Sequence, residues 1–561
     1  MLSRTTMHGR RERHLAGARA RSAQTWTRTW TGPAAWLAGC GLLWAAGCTQ
    51  PSEPASMTAD AAVPVDEPPR IGWDKRLVPT SELIAPQRSR GLRPVRGLIH
   101  LHSPYSHDAC DDNPQPGGKP NAPCLDHLRK AVCTTRQDFA MLTDHATHMG
   151  EAAFDKLFHA DEAAGDVLLR DGSDVLGARW RCDLAAGPAD PPDRPYTPGT
   201  TAADKDRTVL ITVGGENDLM PVGLRHHLGA TEELRKKAMS DGTPAAIPVF
   251  RQAGAVVLQA HGESRTRDKM IELAKAGLGG MEVYNLHANI DPKIRDPYLG
   301  LDPLGAIVGL SPWLDGIPVD KGGPEPDLSV LGFLLPNPPQ LAHYDALLGL
   351  GYRPHPTLGS DIHENAFKLE LADGERGDSY RRLMRWFTNH LLVPVPKDPK
   401  APPAPAELKE ALEQRRGYGV FEVLGPPHGF DFYADGREAG QRGELGAEVA
   451  QGATLHLRPP RPLPEGDRRK DTVMRAVVLR VAPGATASQV VLERRLSAAE
   501  LADAPELTVA TATAGPGAYR VEIHVTPLHL LHLLGKDAAR YQKEYPYLYS
   551  APIFVRATPP I

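Results

Sequence analysis

The sequence predicts an α/β fold: a closed or nearly closed barrel of seven βα units, followed by an all-β, sandwich-like C-terminal domain. The first observation is a series of short, β-branched apolar runs at residues 96–102, 138–145, 208–216, 225–230, 255–261, 280–285 and 357–363. Helical patterns lie between most of these runs and, at residues 379–392, after the last one, and strands that alternate with helices form parallel βα units. The second observation is a change near residue 416, beyond which apolar residues recur with period two. About eight runs of this kind, with turn residues between them, indicate an antiparallel sandwich.

The length and composition set limits on these domains. The chain has 561 residues, of which 41% are hydrophobic and 24% are charged, and these values exclude collagen-like, fully disordered and polytopic membrane classes. The length leaves room for about two to four domains. The formal net charge of −4 gives no overall attraction to nucleic acid. Because the sequence also lacks a basic stripe and a run of stacking aromatic residues, we expect no nucleic-acid partner.

Residues 1–48 are predicted to be an export signal with a lipobox. Seven arginines, opposed only by Glu12, precede an apolar run that ends in small residues. This run is too short for a spanning helix, which needs roughly 20 residues. It ends in Ala-Ala-Gly-Cys48, which resembles a bacterial lipobox, so Cys48 is the predicted lipidation site. Cys40, in Leu-Ala-Gly-Cys40, stays an alternative, as does a plain signal peptide or an uncleaved anchor.

Two proline-rich stretches predict the boundaries of the mature domains. Residues 49–90 are rich in proline, alanine, serine and acidic residues, a composition typical of a tether. Residues 396–415 are predicted to link the barrel at 91–395 to the sandwich-like domain at 416–561. We therefore expect an exported protein that a lipid anchors to a bacterial membrane, in the periplasm or at the cell surface.

Four further cysteines are candidates for disulfide bonds. They are Cys110, Cys124, Cys133 and Cys182. In an exported protein four cysteines predict two disulfides in three alternative connectivities, and their spacing does not match the cysteine pairs of zinc sites. We expect Cys110 to pair with Cys124 or Cys133 and to close a loop rich in glycine and proline.

Residues that commonly bind metals lie in or at the ends of the predicted strands. They are His100, His102, Asp144, His145, Glu216, His226 or His227, His261, Asp361 and His363. The carboxyl ends of barrel strands converge on one face, so residues up to 260 positions apart are expected to meet in one pocket. A single histidine at a strand end is typically structural, whereas this whole series indicates a metal centre. Imidazole and carboxylate ligands together suit Zn²⁺, Mn²⁺ or Fe²⁺.

The same residues form motifs that resemble those of the PHP (polymerase and histidinol phosphatase) superfamily of metal-dependent phosphoesterases. The resemblance covers residues 91–395 and rests, in order, on His100-Leu-His102, Thr143-Asp144-His145, Gly215-Glu216, His227-Leu-Gly, Ala260-His261 and Gly359-Ser360-Asp361-Ile-His363. The chain departs from the pattern at two places. His226 and His227 are adjacent, so either one is a candidate ligand, and Gly-Glu263 follows His261 where the family usually has proline.

The resemblance implies a distorted (βα)7 TIM-like barrel, the PHP fold, with two or three divalent metal ions. The implied ligands are His100, His102, Glu216 and Asp361 for one ion, Glu216, His227 and His261 for a second, and His107, His145 and His363 for a third. Asp144 is expected either to orient a ligand histidine or to cap a turn. Arg225, Arg265 and Arg267 lie next to ligand positions and are candidate phosphate-binding residues.

Hydrolysis is the chemistry that fits this set of residues. Clustered divalent ions lower the pKa of a bound water toward ~7 and neutralise charge on phosphoryl oxygens, so no serine or cysteine nucleophile is needed. We therefore expect a phosphoesterase that uses a hydroxide held between the ions against a small-molecule phosphate ester. The segment from Ser550, Ser-Ala-Pro-Ile-Phe-Val, is similar to the C-terminal region of exported PHP proteins akin to the carbaryl-hydrolase group. Alternatives are therefore a carboxylic ester, amide or carbamate hydrolase, and a lipoprotein that binds a metal or ligand without catalysis.

Overall fold

The computed structural model describes residues 73–83, 90–182, 207–398, 401–436, 441–462 and 472–557. These residues belong to the compact unit Cys48–Ile561. The predicted export signal, both candidate lipidation sites and most of the predicted tether lie outside the described residues. The described residues form 21 strands and 13 α-helices, besides short 3-10 turns.

The strands and helices follow in chain order. The strands are β1 (Leu92–Leu101), β2 (Phe139–Leu142), β3 (Val167–Asp171), β4 (Asp174–Arg181), β5 (Thr208–Val213), β6 (Leu219–Val222), β7 (Val256–Gln259), β8 (Gly280–Asn285), β9 (His355–Gly359), β10 (Thr388–Pro394), β11 (Gly417–Val420), β12 (Asp431–Asp435), β13 (Arg442–Gly443), β14 (Glu448–Ala450), β15 (Thr454–Arg458), β16 (Thr472–Val481), β17 (Gln489–Ser497), β18 (Leu507–Ala510), β19 (Gly517–Pro527), β20 (Tyr545–Ser550) and β21 (Ile553–Arg556). The helices are α1 (Ala122–Thr134), α2 (Ala146–Glu151), α3 (Glu232–Met239), α4 (Ala246–Gln252), α5 (Arg267–Lys275), α6 (Leu286–Ile290), α7 (Pro292–Arg295), α8 (Gly305–Leu314), α9 (Pro338–Gly349), α10 (Tyr380–Trp386), α11 (Pro405–Glu413), α12 (Ala498–Ala502) and α13 (Thr511–Ala514).

Local sequence explains why the helices between the parallel strands form. The Asn121 side chain caps α1 by accepting a hydrogen bond from the backbone N–H of Cys124, and Thr266 caps α5 in the same way. Leu128 and Val132 of α1 lie four residues apart on one buried face. Strand β1 is different, because eight of its ten residues are buried without alternation. A strand covered on both faces has this pattern.

Parallel and antiparallel strands share the largest sheet, which has 13 strands in the described residues. Strands β1, β2 and β5 pair in parallel, whereas β10 pairs antiparallel with β1 on one side and with β11 on the other. A second sheet of four strands has the order β6-β7-β8-β9, and β7, β8 and β9 are parallel. The predicted mixture of α and β structure is confirmed.

The predicted closed sheet is not observed among the described strands. The parallel strands divide between the two sheets, and among the described residues only the isolated bridges Leu101↔Ile362 and Gly214↔Val222 join the two sheets. Strands β2, β6 and β7 have four residues each, which limits the ladder that each can form. At both bridges the regular pairing stops where candidate metal ligands begin, at His102 and at Glu216.

Two predicted elements are wrong in position. Residues 225–230 form no strand, and the strand of this region is β6, Leu219–Val222, which lies just before them. The predicted helix at 379–392 ends with α10 at Trp386, and Thr388–Pro394 forms β10. Since β10 pairs on both sides, the hydrogen bonds of the sheet override the local helical pattern.

The predicted linker at 396–415 contains helix α11. Its buried residues Leu408, Ala411 and Leu412 belong to a hydrophobic cluster with Val95 and Val393 of the large sheet. This packing makes the segment a covering helix for β1 and β10. The C-terminal third is rich in strands, as predicted, but the large sheet continues into it through β11, β20 and β19, and a further sheet has the order β13-β12-β15-β18.

The prediction of two disulfides is confirmed. Cys110 pairs with Cys124, one of the two expected partners, and Cys133 pairs with Cys182. Disulfides of this kind indicate an oxidising or extracellular compartment. Within the described ranges, none of the helices combines the length and the hydropathy needed to cross a membrane.

Candidate metal centre

Candidate ligands gather where β1, β2, β5, β7 and β9 end. His100 lies on β1, and the residues that follow these strands include His102, Glu216 and His261. Ligand atoms within 4.8 Å of one another form four overlapping groups. They are His102, Asp108, His145 and His363; His100, His102 and Asp361; His100, Glu216 and His261; and His261, His287 and Asp361. The expectation that distant residues meet in one cluster is confirmed for these positions.

Asp361 is the central carboxylate of this cluster. Its two oxygens lie 3.3–3.4 Å from ring nitrogens of His100, His102, His261, His287 and His363. It follows the parallel strand β9, and its side chain is 5% exposed. One carboxylate therefore touches residues that lie at or just after the ends of β1, β7, β8 and β9.

Asp108 and Glu216 extend the cluster to either side. Asp108 Oδ2 lies 3.2 Å from Nε2 of both His145 and His363. Glu216 places Oε2 3.0 Å from His145 Nδ1 and Oε1 3.5 Å from His261 Nε2. The three carboxylates thus connect the four groups into one centre.

Hydrogen bonds fix which nitrogen of several imidazoles faces the carboxylates. Nδ1 lies 2.7 Å from Glu282 Oε1 in His100, 3.0 Å from the Glu216 carbonyl oxygen in His145 and 2.8 Å from the Asp361 carbonyl oxygen in His363. These oxygens only accept, so each Nδ1 carries the proton and donates it. The other ring nitrogen, Nε2, faces a carboxylate oxygen of the centre in each case.

His102 follows the same rule through a hydroxyl group. Ser106 Oγ donates to Asp108 Oδ1 at 2.7 Å and therefore accepts from His102 Nδ1 at 3.0 Å. Nε2 of His102 lies 3.4 Å from Asp361 Oδ1. Like Nε2 of His100 and His363, it is buried and lacks a well-formed hydrogen bond within the described part of the chain.

The carboxylates at the centre are ionised. Burial opposes ionisation of Glu216, but His145 and His261 lower its pKa to about 2. Burial also opposes ionisation of Asp361, but the surrounding histidines hold its pKa well below the usual range. The cluster therefore places ionised carboxylates close together, with Glu216 and Asp361 themselves only 4% and 5% exposed.

Protons cannot neutralise this charge at every position. Although burial opposes protonation of His100, Asp361 and Glu282 raise its pKa to about 9. Burial, together with the charge of His363, instead lowers the pKa of His102 to about 3. His102 Nε2 and Asp361 Oδ1 are thus two acceptors in contact at pH 7. A cation between them satisfies both, and donor sets of histidine and carboxylate suit divalent transition metals.

Glu282, which no motif in the sequence indicates, holds two ligands in place. Its carboxylate accepts from His100 Nδ1 at 2.7 Å and from the backbone N–H of His261 at 3.2 Å. His261 has φ of 49° and Asp361 has φ of 50°, in the left-handed region that non-glycine residues rarely adopt. Such conformations persist where the surroundings impose them, and they concentrate at functional sites.

Replacing Glu282 with alanine is expected to weaken metal binding about 10- to 100-fold, as loss of an outer partner of a ligand histidine does. Glu282→Gln keeps an acceptor oxygen and is expected to lose less. The measurement is a competition titration with Zn²⁺ and a chromophoric chelator. Glu272→Ala, an exposed change on α5, is the control. Wild-type affinity in Glu282→Ala would contradict the positioning role.

The structure does not bring His227 or its neighbour into the cluster. His227 Nε2 lies 2.8 Å from the Ala152 carbonyl oxygen, and its ring packs against Phe154. His226 Nδ1 lies 3.2 Å from Asp174 Oδ1. The reason is that residues 225–230 form no strand, so neither histidine stands at a strand end.

His107 lies at the rim of the centre, with its ring centroid 4.9 Å from that of His145, but it is exposed and belongs to none of the four groups. Its neighbour Asp108 takes the inward position. His287 was also missed, although it lies two residues beyond the end of β8, at Asn285. The rule that selected the other ligands, a metal-binding residue just past a strand, would have found His287.

Two of the remaining predicted residues, Asp144 and Arg265, have structural partners. Asp144 accepts from Ser103 N at 2.6 Å and from Ser103 Oγ at 2.7 Å, so it fixes the loop after β1 and does not bond to a ligand imidazole. Burial raises its pKa to about 6. Arg265 Nη2 pairs with Asp218 Oδ1 at 2.7 Å. Arg225 is half-buried and Arg267 begins α5 in an exposed position.

Comparisons with known proteins add little to this description. No family model matches the chain, and no curated relative matches it. Among solved structures, the chain is similar to PsfC from Pseudomonas syringae PB-5123, with 11% identity, a TM-score of 0.28, and coverage of 58% of this chain and 91% of that chain. A similarity at this level assigns neither fold nor function.

Proposed function

We propose that this protein is a metal-dependent hydrolase whose substrate is a small-molecule phosphate ester. The observation that carries the proposal is the packing of ring nitrogens against ionised carboxylates at 3.2–3.4 Å around Asp361 and Asp108, with His102 Nε2 and Asp361 Oδ1 as two acceptors in contact. Acceptors in contact in a buried site need a cation. The motifs that resemble the PHP superfamily support the same conclusion from the sequence.

The ligand groups suggest how two or three ions would be held. One ion would lie among His102, Asp108, His145 and His363. The others would lie among His100, Glu216, His261, His287 and Asp361. Bound divalent ions such as Zn²⁺, Mn²⁺ or Fe²⁺ supply an activated water for attack and positive charge for phosphoryl oxygens.

The exposure of the ligands suggests where the substrate approaches. His100 and His102 are fully buried, whereas His145, His261 and His287 are 25%, 28% and 29% exposed. One side of the centre is therefore closed by protein and the other is open. We place the phosphoryl group at the open side.

The same proposal includes a distorted barrel. If the bridges Leu101↔Ile362 and Gly214↔Val222 are counted as strand contacts, β1, β2, β5, β6, β7, β8 and β9 follow one another in a ring. The ligands then stand at the ends of its strands, where barrel enzymes carry their active sites. Export and lipid anchoring at Cys48 belong to the proposal as well, and the two disulfides support the export.

A panel of chromogenic esters tests the proposed activity. With Mn²⁺ or Zn²⁺ added, we expect turnover of phosphate esters, loss of turnover with a chelator, and recovery when the metal is returned. Turnover of carboxylic esters alone would contradict the phosphoesterase proposal and favour the ester, amide or carbamate alternative. Metal uptake without turnover of any ester would favour a binding lipoprotein.

A further inference from the structure

We propose that the Cys110–Cys124 disulfide is a positioning element of the metal centre, because it holds the loop that carries Asp108. The proposal rests on the proposed metal site and adds a dependence on the oxidation state of two cysteines. The group formed by His102, Asp108, His145 and His363 would be complete only in the disulfide-bonded chain.

Asp108 differs from the other candidate ligands in the backbone element that carries it. It lies in the loop between β1 and α1, away from the end of any strand in the described residues. Besides the contacts of its Oδ2 with His145 and His363, two hydrogen bonds hold it. Its carbonyl oxygen accepts from Asn365 Nδ2 at 2.6 Å, and its Oδ1 accepts from Ser106 Oγ at 2.7 Å. Its placement therefore depends on the course of the loop.

The loop is backbone-strained immediately after Asp108. Cys110, Asp111 and Asp112 have φ of 56°, 61° and 60°. The left-handed region is unfavourable for non-glycine residues, and three in succession require external restraint. A chain free to relax here would move Asp108, which is only two residues away.

Three kinds of contact restrain these residues. The backbone N–H groups of Cys110 and Asp111 donate to the carbonyl oxygens of His363 and Glu364, each at 3.0 Å. Arg376 donates to both carboxylate oxygens of Asp111 at 3.0 Å. The disulfide is the covalent restraint, and it joins Cys110 to Cys124 on α1.

The disulfide also lies next to two other ligands of the same group. Cys124 Sγ lies 3.7 Å from the hydroxyl oxygen of Tyr380. This hydroxyl lies 3.0 Å from the carbonyl oxygen of His102 and 3.4 Å from that of His363, and both oxygens accept. Through Tyr380 and Cys110, the bond is thus connected to three of the four ligands.

The second disulfide provides an internal control. Cys133–Cys182 joins the far end of α1 to the end of β4, and it contacts Arg181 and Arg207. Its sequence separation is 49 residues, against 14 for Cys110–Cys124. Loss of the longer crosslink is expected to destabilise the fold at least as much. If Cys110–Cys124 only stabilised the fold, loss of either disulfide would affect metal binding equally.

The test compares Cys110→Ala/Cys124→Ala with Cys133→Ala/Cys182→Ala in the full chain. After Zn²⁺ loading and dialysis, elemental analysis and chelator competition give the ion count and affinity. We expect the first variant to lose one ion per chain, or to bind it about tenfold or more weakly, while the second keeps the wild-type value. Both should melt at lower temperature. Full metal retention by the first variant would overturn the inference.

Wild-type protein gives a second measurement that needs no variant. Coupling is reciprocal, so bound Zn²⁺ should protect Cys110–Cys124 from reduction. A phosphine supplies the two electrons of reduction and becomes its oxide, solvent supplies the protons, and alkylation with mass spectrometry reports each cysteine. We expect Zn²⁺ to slow labelling of Cys110 and Cys124 but not of Cys133 and Cys182. Equal protection of both pairs would overturn the inference, whereas a chain that takes up no Zn²⁺ would overturn the proposed function itself.

Discussion

Replacing Asp361 with alanine is expected to strip the centre of metal and to lower hydrolysis about 10³-fold, because the cation supplies several kcal/mol of transition-state stabilisation. Asp361 touches five histidines, so no other carboxylate of the centre compensates for its loss. His102→Ala should act in the same direction. The measurements are metal content by elemental analysis and kcat/KM for the best ester of the panel.

His226→Ala is the matched control for these variants. It also removes an imidazole, but His226 pairs with Asp174 outside the cluster and is 52% exposed. We expect wild-type metal content and activity. Retention of metal by both Asp361→Ala and His102→Ala would refute the assigned site, and loss of metal by His226→Ala would show that the ligands lie elsewhere.

Replacing Asp327 with alanine is expected to destabilise the protein by about 3–5 kcal/mol, because it leaves buried arginines without their partner. Asp327 is fully buried and accepts from Arg381, from Arg382 Nη1 at 2.7 Å and from Trp73 Nε1 at 2.7 Å. With Asp373 and Glu375 it forms a group of acids with the spacing of a metal site. Arginine side chains already occupy that position, so we expect the variant to keep its metal.

Urea unfolding of Asp327→Ala, with the partly exposed Asp435→Ala as a control, measures this effect. The pH dependence gives a second check. Arg381 and Arg382, against the opposing effect of burial, lower the pKa of Glu375 to about 2 and that of Asp327 further. Such carboxylates contribute fully above their unfolded pKa near ~4 and lose the contribution as pH falls through the folded pKa. Wild type should therefore lose stability between about pH 4 and 2, and Asp327→Ala should lose less over this range. A decrease of less than about 1 kcal/mol in the free energy of unfolding of Asp327→Ala at pH 7 would contradict the stabilising role of Asp327.

Much of the fold follows from periodicity in the sequence. The apolar runs at 96–102, 208–216 and 280–285 correspond to β1, β5 and β8, because buried parallel strands need continuous apolar residues. Residues 388–394 could not be assigned in this way. Their local pattern fits a helix, and only pairing with β1 and β11, which are distant in sequence, makes them a strand.

The candidate site likewise contains residues that the sequence predicts and residues that it does not. His100, Glu216, His261 and Asp361 were predictable, because each stands at or just past the end of a strand. Asp108 was not, since it lies in a loop well past the end of β1, where no strand periodicity indicates which side chain turns inward. Glu282 could not be predicted from residue type alone, because its role depends on a hydrogen bond between β8 and His100 on β1.

The central claim is that divalent ions lie between the imidazoles and carboxylates around Asp361 and Asp108. Anomalous diffraction from crystals of the metal-loaded protein tests it most directly, since the peaks give both the positions and the number of ions. The account predicts two or three peaks, one among His102, Asp108, His145 and His363 and the rest beside Asp361. Absence of a peak at these ligands, or a peak only among Asp327, Asp373 and Glu375, would contradict it.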